Sequence, residues 1–393
     1  MVNPRVEDSR VSLIRLFDER TSSIEGIIKL TIGEPDFNTP KSVKNAAIDA
    51  INENYSHYAK MGGMPELKMA AAHYINEKYN LHYDDPLNQV IITVGAKEAL
   101  SITFQTLLQA GDRVLIPVPT FPAYATLCKL QGAIPISLNT SKSGLKLTAA
   151  NLQKHLETVS GAKVLVLNYP NNPTGLTYTR QELIELAEVA RNHDLYIVSD
   201  EIYSELTFNG HHTSIAEFYP EKTILINGLS KSHAMTGWRI GFLYAPKALT
   251  KLLIRVHHNN VTGPATLIQK ASITAVTEAK DAAASMRHEY EVRKNIVRKG
   301  LLELGFAVPD PDSGFYLFVK IPKSLFSGSS LDFCVDLAKN ARVAAIPGKA
   351  FGEAYDDYFR ISCATSRANL IEALSRIEAY VRQREKFEHG FQN

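Results

Sequence analysis

Short, uninterrupted apolar runs alternate with longer stretches of helical period through the first two thirds of the chain. Residues 90–94, 113–118, 163–167, 195–199 and 223–229 are apolar along most of their length rather than alternating with polar residues, the pattern of strands buried on both faces. Between them, residues 179–194 place Leu183, Leu186, Ala187 and Ala190 on one helical face. This alternation predicts an α/β fold with a mainly parallel sheet flanked by helices. From residue 264 to about 304 the pattern turns long and helical, rich in Ala, Glu, Lys and Arg, and reads as a bridge to a second domain. Strands of that domain are expected at 315–319, 343–346 and 359–363, and a flexible loop at 324–330. There is no internal repeat and no low-complexity segment.

Composition narrows the function. A chain of 393 residues can bury a large core and form more than one domain. With 45% hydrophobic and 21% charged residues it reads as globular, and a net charge of +2 without a Lys/Arg block argues against nucleic acid or an anionic membrane as partner. A small metabolite fits better. The first eight residues lack a signal-peptide apolar core, and no apolar run reaches the roughly 18 residues of a membrane helix, so a cytoplasmic location is the expectation. Cys128, Cys334 and Cys363 are far apart, odd in number and without metal-ligand spacing, and read as reduced packing residues. No metal site is expected.

Candidate chemistry concentrates where the strand runs end. Lys231 follows the run 223–229, and Arg239 follows it eight residues later. An amine so placed can condense with an aldehyde and a guanidinium can clamp a phosphate, a combination that proposes pyridoxal 5′-phosphate (PLP). A lone lysine in such a turn is by default solvated surface. Asp200 ends the run 195–199, where a carboxylate points into the crevice of an open α/β sheet; alone it would read as a cap. The cluster Asn168-Tyr169-Pro170-Asn171-Asn172-Pro173-Thr174-Gly175 is a turn signal. Gly95-Ala96-Lys97 lies where a strand passes into a helix, a ready anion site. Arg360 sits in an apolar strand-like run, so it needs an anion: a substrate carboxylate or an internal Asp or Glu.

In order and spacing, Gly33-Glu34-Pro35-Asp36-Phe37, Asn172-Pro173-Thr174-Gly175, Asp200-x-x-Tyr203, Ser230-Lys231…Arg239 and Arg360 resemble the class I aminotransferases of PLP fold type I. The wording of residues 199–207 and 227–233 is most similar to the bacterial aromatic and N-acetyl-L,L-diaminopimelate aminotransferases. The resemblance implies a large PLP-binding domain over 45–285 and a smaller α+β domain from 1–44 and 286–393. It implies that Lys231 carries the cofactor and moves the substrate proton, that Asp200 keeps the pyridine nitrogen protonated, and that Asn172 and Tyr203 bond the phenolic oxygen. Phe121 would stack on the ring. The Gly95-Ala96-Lys97 backbone, Ser230 and Arg239 would hold the phosphate, together with Tyr58 from the partner subunit of a homodimer. Gly33, Asn172 and Arg360 would bind the substrate α-carboxylate. One departure stands out: many relatives carry serine three residues before the lysine, where this chain has Gly228.

The implied reaction is ping-pong transamination between an amino acid and a 2-oxo acid such as 2-oxoglutarate. A PLP-dependent C–S β-lyase shares its opening step and remains an alternative on the same fold. A PLP-sensing transcription regulator would need a DNA-binding segment, and the roughly thirty residues before Gly33 show neither a basic balance nor a helix-turn-helix pattern. The apolar residues 14–17 are the candidate side-chain selector, suiting an aromatic or long aliphatic donor, or else packing on the core.

Overall fold

The computed structural model describes residues 2–7 and 13–390. Its centre is a seven-stranded sheet of β1 (Val90–Thr93), β2 (Arg113–Val118), β3 (Ile134–Asn139), β4 (Ala162–Asn168), β5 (Tyr196–Asp200), β6 (Thr223–Gly228) and β7 (Gly241–Tyr244), in the order β1-β7-β6-β5-β4-β2-β3. Only β7 runs antiparallel to its neighbours. Helices Ala123–Leu130, Ala149–Thr158 and Arg180–Asn192 make the crossovers that parallel pairing requires. The helix expected at 179–194 begins as its sequence suggests: Thr179 and Glu182 form a reciprocal capping box, and Leu183, Leu186, Ala187 and Ala190 are buried.

Register brings the strand ends together. Asn168 pairs with Asp200, Gly228 with Gly241, and Gly241 with Thr93, so the carboxyl ends of β4, β5, β6 and β1 share one edge of the sheet. The loops after them carry Asn172, Tyr203, Lys231 and Gly95 onto that edge. Two strands escaped the hydrophobic pattern. β3 is an edge strand with Ile134 45% exposed and a tolerated Pro135, and β7 is only four residues long.

A second sheet stands over this edge, formed by β8 (Tyr316–Lys320), β9 (Ile346–Pro347) and β10 (Tyr358–Ser362), antiparallel in the order β9-β10-β8. Its core gathers Phe17 and Leu30 with Phe333, Phe359 and Ile377, and Val118, Ile202 and Tyr203 join it from the large sheet's edge. The run 343–346, expected as one strand, divides between two partners: Val343–Ala344 pairs parallel with Ile28–Lys29, while β9 pairs with β10. The long helical stretch 264–304 is likewise two helices, Thr266–Val276 and Ala283–Glu303. The turn between them is tied to a neighbouring helix, Pro65–Tyr79, by Lys78–Asp281 and Lys280–Glu77 ion pairs at 2.8 and 2.7 Å. Tertiary contacts thus override local helix preference. The segment 324–330 is irregular up to Ser329, but it is anchored rather than loose: Leu325 is buried and Phe326 packs edge-on against Phe333. All three cysteines are free and buried. Among the described residues no helix is long and apolar enough to cross a membrane, and no group of side chains could hold a metal ion.

Candidate active site

Between the carboxyl edge and the second sheet lies a cavity of about 290 Å³. Of the residues singled out in the sequence, Gly33, Ala96, Lys97, Phe121, Asn172, Asp200, Tyr203, Ser230, Lys231, Arg239 and Arg360 line it. Gly95 and Tyr58 do not: Gly95 lies against Arg239, and Tyr58 is 91% exposed on its own chain.

Asp200 closes β5 with its carboxylate buried. Tyr124 donates to its Oδ2 at 2.8 Å and the Ile202 N–H to its Oδ1 at 3.3 Å. Burial nevertheless pushes the carboxyl up to about 6, with Glu201 adding and the Tyr124 bond opposing. Such a carboxylate gains most from a cationic partner. Lys231 donates from Nζ to the Gly33 carbonyl at 2.6 Å, with Nζ 5.8 Å from the Tyr203 ring centre. Burial lowers its amine to about 8; Arg239 and Arg360 push the same way, Glu34 and Asp200 the other. An appreciable fraction is therefore neutral, and nucleophilic, near neutral pH.

Arg360 lies mid-strand in β10, 2% exposed. It donates from Nη1 to Asn172 Oδ1 at 2.9 Å and from Nη2 to the Thr31 carbonyl at 2.8 Å, with Tyr316 and Phe351 rings 4.3 and 5.0 Å from the guanidinium. Its Nε has no partner, and among the described residues no carboxylate forms an ion pair with it. The internal salt bridge that the sequence left open is absent among the described residues. A buried guanidinium held by neutral acceptors is a prepared anion site. Arg367, by contrast, is exposed and paired with Glu289.

At the opposite end, Gly95 opens the helix Gly95–Leu107 with φ +74°. A Cβ there would sit 2.4 Å from Arg239 Nη2, and a Cβ on Gly241 would fall 2.5 Å from the Gly95 carbonyl carbon. Gly241 is required by the close approach of backbone, Gly95 by its positive φ. Arg239, itself at φ +56°, is exposed and donates to the Thr236 carbonyl at 2.9 Å. Ser230 is buried against the cavity. The Lys97 ammonium lies 5.8 Å from the Phe121 ring centre, and burial, Arg15 and Arg239 lower its pKa. The missing serine at Gly228 has a steric reason: its Cβ would lie 2.9 Å from the Ile240 carbonyl oxygen.

Sequence reasoning passed over Tyr124, Tyr316, Thr31 and Asn168. The Tyr316 hydroxyl is 3.3 Å from that of Tyr203, and Asn168 donates to the Asp200 carbonyl at 3.0 Å while accepting from the Asn172 N–H at 3.0 Å. Tyr124 had a faint signal, lying one helical step beyond Phe121.

Residues 25–377 match the family model for aminotransferase class I and II. The chain belongs to this family. The aminotransferase is 41% identical to a probable N-acetyl-LL-diaminopimelate aminotransferase of Bacillus subtilis, over 97% of this chain and 96% of that one. It is 38% identical to aromatic-amino-acid aminotransferase 2 of Thermococcus litoralis, over 98% and 99% of the two chains. The structure of aspartate aminotransferase from Thermus thermophilus with maleate superposes with a TM-score of 0.91 at 33% identity, covering 97% of this chain and 99% of that one. The fold is therefore that of the fold type I PLP enzymes, and the aminotransferase is an enzyme whose family uses pyridoxal phosphate. The residues present fit that cofactor: a buried carboxylate with no ion pair among the described residues, a lysine with lowered pKa, and a glycine cradle under an exposed arginine.

Proposed function

We propose that the enzyme exchanges an amino group between an amino acid and a 2-oxo acid such as 2-oxoglutarate in two ping-pong half-reactions, with an aromatic or N-acetyl-L,L-diaminopimelate-like donor. The observation that carries this reading is Arg360, a buried guanidinium with a free Nε and no acidic partner among the described residues, 2.9 Å from Asn172 beside the Lys231 cavity. Every amino and 2-oxo acid offers the α-carboxylate it is built to take.

The roles follow from position. Asp200 would face the cofactor's ring nitrogen, Asn172 and Tyr203 its phenolic oxygen and Phe121 its ring; the Gly95–Lys97 backbone, Ser230 and Arg239 would hold the phosphate. When bound, pyridoxal phosphate supplies an electron sink at the substrate Cα. Lys231 Nζ, neutral for part of the time because burial lowers its pKa to about 8, would take the proton from the substrate Cα and deliver it to the cofactor carbon that receives the amino group. Asp200, ionised by pairing with a cation, fixes the protonation of the group it faces. Arg360 and the Gly33 backbone orient the α-carboxylate so that the Cα–H bond faces Lys231. Ile14, Leu100, Phe121 and Ile202 give the cavity an apolar lining that suits a long or aromatic donor side chain.

Three core clusters drawn from residues 43–276, and a fourth centred on the second sheet that Val118, Ile202, Tyr203, Leu206 and Ala283 join, support a large domain over 45–285 with 1–44 and 286–393 forming the smaller one. The wide exposure of Tyr58 supports its assignment to the partner's site in a homodimer, and a cytoplasmic location completes the reading. The test is a screen of amino donors against 2-oxoglutarate, including phenylalanine, tyrosine, aspartate and N-acetyl-L,L-diaminopimelate. Turnover led by an aromatic or acylated long-chain donor supports the reading; a marked preference for aspartate, or pyruvate release from cysteine-type donors without amino transfer, overturns it.

A further inference from the structure

We infer that Glu98 and His257 are positioning residues for the phosphate end of the cofactor, an inference that rests on the proposed seat of that phosphate at Gly95–Lys97. A helix leaves its first N–H groups without intrahelical acceptors. Here they belong to Val94, the capping residue, and to Gly95, Ala96 and Lys97. Glu98, one turn into the helix, reaches back so that its Oε2 accepts the Val94 N–H at 2.7 Å. It thereby takes one of these four N–H groups and leaves the other three for the phosphate.

The carboxylate is itself fixed from behind. His257, on the helix Lys247–Val261, places Nδ1 2.8 Å from Glu98 Oε1, with the histidine side chain fully buried and that of Glu98 10% exposed. Nδ1 therefore carries the proton donated to Glu98, and the buried Nε2 has no partner, so the imidazole serves Glu98 alone among the described residues. Gly241 supports the cradle from beneath, Arg239 covers it, and the Glu98–His257 pair tethers its entry. A loop so held presents its N–H groups without reorganisation, the condition for tight anion binding.

The experiment compares purified holoenzyme variants by the rate of cofactor release under dialysis with a scavenger and by the 31P resonance of the bound phosphate. Glu98→Ala frees the Val94 N–H and should speed release about two- to fivefold and shift the resonance, a size typical of helix N-terminus effects. Glu98→Gln keeps an acceptor for Val94, and a tautomer switch lets His257 Nδ1 accept from the new amide N–H, so it should stay near wild type. His257→Asn, which retains a donor toward Glu98, should also stay near wild type, whereas His257→Ala should follow Glu98→Ala. Equal release rates and resonances in Glu98→Ala, Glu98→Gln and wild type overturn the inference; if the His257 variants do not fold, that comparison alone decides. Arg239→Gln separates the two levels. If it leaves release and resonance unchanged, the phosphate does not sit here and the underlying reading fails; if it weakens retention while Glu98→Ala does not, only the positioning role falls.

Discussion

Replacing Arg360 by lysine preserves the charge and removes the planar fork. The guanidinium already spends one N–H on Asn172 Oδ1 at 2.9 Å and one on the Thr31 carbonyl at 2.8 Å, leaving Nε–H and one hydrogen on each Nη for a substrate carboxylate. A lysine ammonium has three donors in all, so holding the carboxylate would strip Asn172, Thr31 or both, and the reverse. It also forfeits the stacking between Tyr316 at 4.3 Å and Phe351 at 5.0 Å that fixes the guanidinium plane. Losing one two-pronged charge-assisted contact of about 3 kcal/mol corresponds to roughly 10²-fold in kcat/KM. Because every donor carries the same α-carboxylate, the loss should be similar for all of them. The assay is initial-rate kinetics of Arg360→Lys across aromatic, aliphatic and acidic donors, with the visible spectrum checking that cofactor binding is unchanged. A defect confined to acidic donors would make Arg360 a side-chain selector and refute the reasoning. So would a loss of stability with unchanged kinetics per folded molecule.

Three further outcomes follow from the geometry. In Asp200→Asn, cofactor-free protein should be more stable than wild type by up to about 3 kcal/mol at neutral pH. The folded carboxyl titrates near 6 rather than 3.8, so wild-type stability falls as pH rises through that window, and the difference between the two proteins should vanish below about pH 4 in thermal melts. The same variant should lose orders of magnitude in turnover, and near-normal rates would remove Asp200 from its role. Tyr124→Phe removes a 2.8 Å bond to the charged carboxylate, a contact of about 1.5–3 kcal/mol, and should lower kcat about tenfold or more with folding retained, measured by steady-state kinetics and circular dichroism. Gly228→Ser, although it restores the residue of many relatives, should cost about 1–3 kcal/mol in denaturant titration without tightening cofactor retention, because its Cβ meets the Ile240 carbonyl oxygen at 2.9 Å.

What was legible in the sequence was what is local. Strands buried on both faces announce themselves as apolar runs, and Asp200 and Lys231 sit directly beyond two of them, so their placement on one edge follows once the sheet is parallel. What stayed hidden depends on contacts between distant residues. Tyr316 reads as an ordinary strand aromatic until Gly33 is found with its Cβ position 2.6 Å from the tyrosine hydroxyl. Tyr124 reads as helix packing until its hydroxyl meets Asp200, 76 residues away. The split at 343–346 and the turn at 277–282 are likewise decided by partners that no window of sequence contains. Whether Arg360 met a protein carboxylate was equally undecidable, since that rests on the absence of a neighbour in space.

The central claim is that Lys231 carries the cofactor, and borohydride reduction followed by peptide mass mapping tests it most directly. Purified protein should be yellow, and reduction should add the cofactor's mass to the peptide containing Lys231 and bleach the visible band. Lys231→Ala should lose both the reducible linkage and nearly all amino transfer. The cofactor found on another lysine such as Lys97, with Lys231→Ala fully active, would contradict the account.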